Sequence, residues 1–184
     1  PVTLFMDGFV DGVAKYNEVH GTAVVALGWD KATQDGVFTG DFEDINKGLT
    51  TAQAFIDQGA DVILPVAGQV GEGAARAALD SGTASIIWVD SDGYDTLSPD
   101  FRPVLLTSVL KNTGSAVVEI VKTSIDDTFD NAPFIGTLEN GGVGIAPFHD
   151  LAPRVSAELS AEIDQLRSDI VAGTIVVTSP STPR

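Results

Sequence analysis

The sequence predicts an α/β fold in which helices flank a parallel sheet on both faces. Helical and strand-like segments alternate over residues 1–90 in the order α-β-α-β-α-β. The strand-like segments are continuous apolar runs, which is typical of strands that are buried on both faces. Apolar residues make up 43% of the 184-residue chain and charged residues 20%, a balance that supports a packed core.

Three helix–strand pairs account for the first half of the chain. Apolar residues at helical spacing predict an opening helix, on Leu4, Phe5, Phe9, Val13 and Tyr16. The following segments are predicted to be a strand at 23–27, a helix at 45–56, a strand at 61–67, a short helix at 72–79 and a strand at 85–90. Pro65 indicates a bulge or an edge position in the second of these strands.

The second half begins with a stretch rich in Gly, Asp, Ser and Pro at 91–103. The predicted elements after it are a strand at 104–109, a helix at 115–125, a Gly-rich segment at 140–145, a helix at 155–170 and a final strand at 174–178. We find no internal repeat and no low-complexity tract.

Charge and composition exclude several classes of function. The chain has 26 acidic and 10 basic residues, a formal net charge of −16, which disfavours nucleic acid and direct membrane partners. It has no cysteine, so thiolate metal sites and cysteine nucleophiles are excluded. His20 and His149 are the only histidines. We expect them to lie in loops without partners, and we predict no metal site and no cofactor.

Ligands of open parallel sheets bind beyond the carboxyl ends of the strands, and unusual loops follow three of the predicted strands. The first loop, residues 28–43, is long for an α/β connection and carries the aromatic side chain of Phe42. An exposed ring offers a surface for stacking a planar base. The alternative is that Phe42 folds back onto the sheet, and the sequence leaves both interpretations open.

The other two loops carry glycines and carboxylates. Gly68, Gly71 and Gly73 follow a strand with the spacing G-x-x-G-x-G, which differs from the G-x-G-x-x-G of dinucleotide-binding proteins. This loop is predicted to offer backbone donors to a neutral polar ligand, or to be a plain tight turn. Asp90 and Asp92 end the next strand, where a carboxylate can accept hydrogen bonds from a sugar diol or form an Asx turn or helix cap.

Six segments, in the order in which they occur, resemble the basic membrane protein family. They are FEDINKG (42–48), QGADVI (58–63), AGQVG (67–71), VDSD (89–92), TSVLK (107–111) and GGVG (141–144). The family is similar to the purine-nucleoside receptors of ABC importers, which have a type I periplasmic-binding-protein fold. The resemblance implies the substrate-binding component of an ABC importer, with a nucleoside held between two lobes and a transporter permease as partner.

The resemblance also implies roles for individual residues. Phe42 would stack on the purine base, and Gly68 would line the same part of the ligand. Asp90 would bind the ribose hydroxyls, with Asp92 as a neighbouring candidate. Lys111 would close the site.

By the same resemblance, the chain is part of a two-lobed protein. Residues 1–104 are predicted to form the C-terminal lobe, a Rossmann-like α/β unit. Residues 105–135 are predicted to be a crossover segment of the N-terminal lobe, and residues 136–184 the return to the C-terminal lobe and the tail. We expect the N-terminal lobe and the lipoprotein signal to lie outside these residues. The expected location is extracytoplasmic, at the cell membrane through a lipid anchor.

Two alternative functions remain open from the sequence. Four residues depart from those that are usual in the family, which leaves the base and sugar preference open: Phe42, Glu43, Gln69 and Val70. A binding protein for a sugar or another small polar solute is therefore the second hypothesis. The third is a Rossmann-type enzyme, which the glycine spacing disfavours. Because no nucleophile elbow or HExxH motif occurs, we predict that the protein is not an enzyme.

Overall fold

A computed structural model describes residues 2–182 and confirms the predicted α/β class. Its elements in chain order are α1 (Val2–His20), β1 (Trp29–Asp30), β2 (Asp35–Gly36), α2 (Ile45–Ile56), β3 (Val62–Ile63), α3 (Val70–Ser81), β4 (Ser85–Asp90), α4 (Gly93–Thr96), β5 (Leu105–Lys111), α5 (Thr113–Ile125), β6 (Val143–Ile145) and α6 (Ala157–Val171). Two 3₁₀ helices, Pro99–Val104 and His149–Arg154, precede β5 and α6.

Two compact units divide the chain, and the boundary falls within β4. The first unit comprises the chain up to Ile86 and again from Val176 onward, and the second comprises Ile87–Ile175. This division differs from the predicted lobe boundaries at 104 and 135. The assignment of those segments to two lobes of a larger protein stays a prediction.

In the first unit, α2 and α3 pack closely because glycines face each other across the contact. A methyl group on Gly48 would overlap the carbonyl oxygen of Val70, and one on Gly73 would lie 2.5 Å from the backbone nitrogen of Leu49. Both helices carry small buried side chains, Ala52 on α2 and Ala74, Ala77 and Ala78 on α3. Beside these helices, β3 pairs in parallel with the start of β4, as the apolar runs predicted.

In the second unit, β5 is bonded to β4 on one side and to β6 on the other. β6 is antiparallel to β5, with Lys111 opposite Val143, so the sheet is mixed instead of entirely parallel. The direction follows from the connection between these strands. Asn112, directly after β5, binds the segment that leads into β6. Its backbone N–H donates to Gly142 O and its side-chain amide donates to Gly141 O. β6 therefore begins beside the last residue of β5 and runs in the opposite direction.

Two predicted strands, at 23–27 and 174–178, are absent from the described residues. A strand needs a neighbouring strand for its backbone hydrogen bonds. At Val24 those bonds go to a side chain instead, because Asn17 accepts from the backbone N–H and donates to the carbonyl oxygen, each at 2.8 Å. The apolar side chains of these segments are exposed, with Val25 at 73% and Val176 at 74%.

A buried carboxylate joins three segments of the first unit. Asp7 on α1 is fully buried. Its Oδ1 accepts from the indole N–H of Trp29 at 2.8 Å and from Gln34 at 2.9 Å, and its Oδ2 accepts from the Ser179 hydroxyl at 2.6 Å. Burial raises the pKa of the Asp7 carboxyl, but these three hydrogen bonds and the charge of Lys31 together hold it below its ordinary value.

We expect Asp7→Ala to lower the free energy of unfolding by about 3 kcal/mol at neutral pH, because the buried Trp29 donor loses its acceptor. Since folding lowers the pKa of Asp7, its carboxylate stabilises the fold above its unfolded pKa of about 4. That contribution is lost as the pH falls through the folded pKa. Asp7→Asn should therefore lose stability less steeply than the wild type below about pH 4.

Urea unfolding followed by circular dichroism over a pH series measures both effects. Asp11→Asn is the matched control, because Asp11 lies on the same helix but pairs with Lys31 at 2.7 Å in a more exposed position. An Asp7→Asn profile as steep as that of the wild type would contradict the role of this carboxylate.

Candidate ligand-binding site

Phe42 lies in a turn that a carboxylate fixes just before α2. Asp41 Oδ1 accepts hydrogen bonds from the backbone N–H groups of Glu43 and Asp44, and Asp41 Oδ2 pairs with the ammonium of Lys47. The Lys47 contact, followed by the two backbone donors, lowers the pKa of Asp41 to about 2, so Asp41 is ionised at neutral pH. Asp44 then caps α2 through the backbone N–H of Asn46. The turn leaves Phe42 58% exposed.

Gly68 lies beside Phe42. A methyl group on Gly68 would be 3.5 Å from Phe42 O and 3.6 Å from its Cβ. Gly68 has φ +56°, a left-handed conformation that glycine adopts without strain. Its carbonyl accepts from Gly71 N–H at 3.0 Å as α3 begins. The alternative in which Phe42 folds back onto the sheet does not fit its exposure.

In the second unit, Asp90 occupies a strained turn at the end of β4. Its φ is +70°, and the backbone N–H of Ser91 donates to Val89 O at 2.9 Å, which closes a three-residue turn around Asp90. This geometry is uncommon outside glycine, although Asp tolerates it better than most residues. Asp90 Oδ1 lies 2.7 Å from Lys111 Nζ, with the two side chains 57% and 43% exposed.

Asp92 is two residues away and has a different environment. Its Oδ1 accepts from the backbone N–H of Tyr94 at 3.1 Å, which caps the short helix α4. Its Oδ2 lies 2.7 Å from His149 Nε2, and the Asp92 side chain is only 21% exposed. Both carboxylate oxygens of Asp92 therefore have partners within the protein.

The structure thus brings four of the five predicted residues together in two pairs. Phe42 and Gly68 form one pair in the first unit, and Asp90 and Lys111 form the other in the second unit. Asp92 pairs with His149, so the expectation that this histidine lies in a loop without a partner is wrong. The two residues are 57 positions apart, and no local motif indicates their contact.

A shallow groove of about 370 Å³ lies along the loop and the first turns of α2. Phe38, Asp44, Asn46 and Lys47 line it together with three threonines, and it includes none of the five predicted residues. Within residues 2–182, no group of three or more His, Asp or Glu side chains is arranged to hold a metal ion. Among the described residues, no helix has both the length and the apolar character that crossing a bilayer requires.

Comparison with known proteins identifies a family. The model of the Bmp family, described as ABC transporter substrate-binding protein PnrA-like, matches residues 1–181. Basic membrane protein A of Borreliella burgdorferi is 32% identical over 146 residues, which are 77% of this chain and 41% of that protein. Basic membrane protein A1 of Borrelia garinii subsp. bavariensis is 31% identical over 144 residues, 76% of this chain and 40% of that protein. The chain thus spans about 40% of the length of these relatives.

Solved structures agree on the fold. The solute-binding protein of an ABC transporter system from Aeropyrum pernix K1 superposes with a TM-score of 0.77 at 23% identity, over 97% of this chain and 54% of that protein. A counterpart from Conexibacter woesei has a TM-score of 0.62 at 20% identity, over 79% and 46% of the two chains. Both structures are of solute-binding proteins, and the Bmp family model also describes a substrate-binding protein. The chain belongs to the Bmp family, the PnrA-like substrate-binding proteins of ABC transporters.

Proposed function

We propose that this chain contributes Phe42, Gly68, Asp90 and Lys111 to the nucleoside site of an ABC importer. The observation that carries the proposal is an exposed aromatic ring beside the backbone of a glycine. A planar base can stack on such a ring, and glycine at position 68 allows the loop backbone to pack directly beside Phe42. A ligand without a planar ring would gain little from this arrangement.

Asp90 and Lys111 suit the sugar part of a nucleoside. An ionised carboxylate accepts hydrogen bonds from two vicinal hydroxyls, and an ammonium group donates to a hydroxyl oxygen. The turn at Asp90 supports this role, because strained backbone conformations cluster at ligand-binding residues. We assign the diol to Asp90 and not to Asp92, since both oxygens of Asp92 already have partners.

We also propose that the chain forms one side of a two-lobed cleft, with the part of residues 105–135 that follows β5 crossing into the other lobe. α5, which falls in that segment, has no buried residue, and its side chains Val117, Val118, Val121 and Ile125 are exposed. An amphipathic helix normally buries its apolar face against another element. A second lobe would supply that element and close on the ligand by a hinge motion.

The proposed partner is a transporter permease, which would receive the nucleoside. The protein would act outside the cytoplasm and be held at the cell membrane as a lipoprotein. Direct binding of the chain to anionic lipid is disfavoured by its net charge of −16.

Calorimetric titration of the longest natural form of the protein with adenosine, guanosine, inosine and free ribose tests the function. We expect saturable heat with at least one purine nucleoside and none with ribose, because stacking on Phe42 requires the base. Heat with no nucleoside at all would overturn the proposal. Titration of the 184-residue chain alone should give weak or no binding, and micromolar affinity there would contradict the two-lobe assignment.

A sugar or another small polar solute is the second candidate, because the Asp90–Lys111 pair could bind such a ligand without a base. Phe42→Ala separates the two candidates. It should weaken binding of a nucleoside by about tenfold or more, since base–aromatic stacking contributes about 1–3 kcal/mol. An affinity that is unchanged in Phe42→Ala but lost in Asp90→Ala would favour the sugar.

A further inference from the structure

His149 belongs to an aromatic cluster that the proposed ligand site does not include. The imidazole of His149 stacks on the ring of Tyr94, with centroids 4.1 Å apart and planes 13° from parallel. The guanidinium of Arg102 also contacts the Tyr94 ring, 4.2 Å from its centroid. Three side chains from separate segments of the second unit are therefore packed together.

Hydrogen bonds fix the edges of this cluster. Tyr94 Oη donates to Asp150 Oδ1 at 3.1 Å, and Arg102 Nε donates to the backbone oxygen of Tyr94 at 3.2 Å. Burial, followed by the Asp150 hydrogen bond, raises the pKa of Tyr94, so its hydroxyl remains a donor at neutral pH. His149 itself has φ +43°, a conformation that its surroundings must stabilise.

The cluster is connected to the turn that carries Asp90. Asp92 accepts from His149 through Oδ2 and from the backbone N–H of Tyr94 through Oδ1. The next residue, Gly93, donates its N–H to the hydroxyl of Ser108 at 3.0 Å. The ring of Trp88 packs directly against Gly93. A methyl group on Gly93 would lie only 2.8 Å from that ring.

We infer that His149 is a positioning residue for the ligand site. Through Asp92 it holds residues 91–93, which directly follow Asp90, in the conformation that presents the Asp90 carboxylate. The segment that follows β6 thereby sets the affinity for ligand without touching the ligand. This inference rests on the proposed function only in taking Asp90 as the ligand contact.

Hydrogen exchange of backbone amides in the protein without ligand tests the inference directly. His149→Asn is the informative variant, because Asn tolerates positive φ but is too short to reproduce both the Asp92 contact and the stack on Tyr94. The amides of Gly93 and Tyr94 should exchange about tenfold faster, the effect of losing one hydrogen bond to a charged group. The amide of Asn112, bonded to Gly142 O in the same unit, is the internal reference and should not change.

His20→Asn is the matched control, because His20 also lies against a tyrosine, Tyr16, with ring centroids 4.3 Å apart. It should leave the exchange of Gly93 and Tyr94 unchanged. Unchanged exchange at these amides in His149→Asn would overturn the inference, as would equal acceleration at Asn112, which would indicate a general loss of stability.

A double-mutant cycle with the nucleoside that binds best adds a second measurement. His149→Asn should weaken binding by about tenfold when Asp90 is present and by less than twofold in an Asp90→Ala background, because coupled residues are not additive. Equal losses in both backgrounds would contradict action through Asp90. If no nucleoside binds, the proposed function fails, while the exchange measurement still decides whether His149 holds the turn.

Discussion

Asp90→Asn is expected to weaken nucleoside binding by about a hundredfold, whereas Asp92→Asn should change it by less than about threefold. A carboxylate that accepts from two ribose hydroxyls contributes about 1.5–3 kcal/mol through each hydrogen bond to the charged group. An amide keeps one acceptor oxygen and places a donor where the second acceptor was. A net loss of about 2.7 kcal/mol corresponds to the hundredfold change.

The structure predicts a different result for Asp92, although the two residues are close in sequence. Asparagine is as good an N-cap as aspartate, so Asp92→Asn can still accept from the Tyr94 N–H. Its amide N–H₂ can then donate to His149 Nε2 in the tautomer that carries its hydrogen on Nδ1, which preserves the second contact with donor and acceptor exchanged. Asp92→Ala removes the contacts with Tyr94 N–H and His149. It should weaken nucleoside binding because the residues that follow Asp90 are then no longer held in place.

Calorimetry with the same nucleoside on all three variants measures these differences, and urea unfolding provides the control for the fold. Asn tolerates positive φ, so Asp90→Asn should keep the turn. The ion pair of Asp90 with Lys111 is exposed and contributes little to stability. We therefore expect the unfolding midpoints of wild type and Asp90→Asn to agree. Equal affinity losses in Asp90→Asn and Asp92→Asn would show that both carboxylates contact ligand.

Much of the fold could be predicted because its elements are encoded locally. The helix predicted at 45–56 matches α2, and the strand predicted at 85–90 matches β4. Segments 23–27 and 174–178 are as apolar as these but form no strand in the described residues. A strand depends on a neighbour, which is a property of the tertiary structure and not of the segment itself. Apolar composition alone therefore overestimates the number of strands.

The candidate site shows the same distinction between local and distant information. Asp41, Asp44 and Phe42 lie within four residues, and a short Asp-rich turn before a helix can be recognised from sequence. Positive φ at Asp90 and the contact between Asp92 and His149 are not encoded in any local pattern. Sequence reasoning could thus nominate both aspartates for the ligand, but the partner of each became visible only in the structure.

Gly73→Ala is expected to lower the free energy of unfolding by about 3 kcal/mol or more, because it introduces a methyl group into a contact that has no space for it. The methyl carbon would overlap the carbonyl oxygen of Ile45 and lie 2.5 Å from the backbone nitrogen of Leu49. Both are backbone atoms of α2, so no side-chain rotation can relieve the clash. The two helices must move apart and expose the apolar surface that they bury at Ala52 and Ala77.

Gly12→Ala on α1 is the matched control, because a methyl group there meets no atom within 4 Å. It should raise stability by up to about 1 kcal/mol, the difference in helix propensity between glycine and alanine. Urea unfolding of the two variants measures the difference in stability. If Gly73→Ala does not accumulate as folded protein while Gly12→Ala does, the loss of stability is larger than expected and the prediction still holds. Equal midpoints would show that the contact between α2 and α3 is looser than its geometry requires. Because Phe42 precedes α2 and Gly68 precedes α3, this helix contact also fixes the spacing of the proposed base-binding pair.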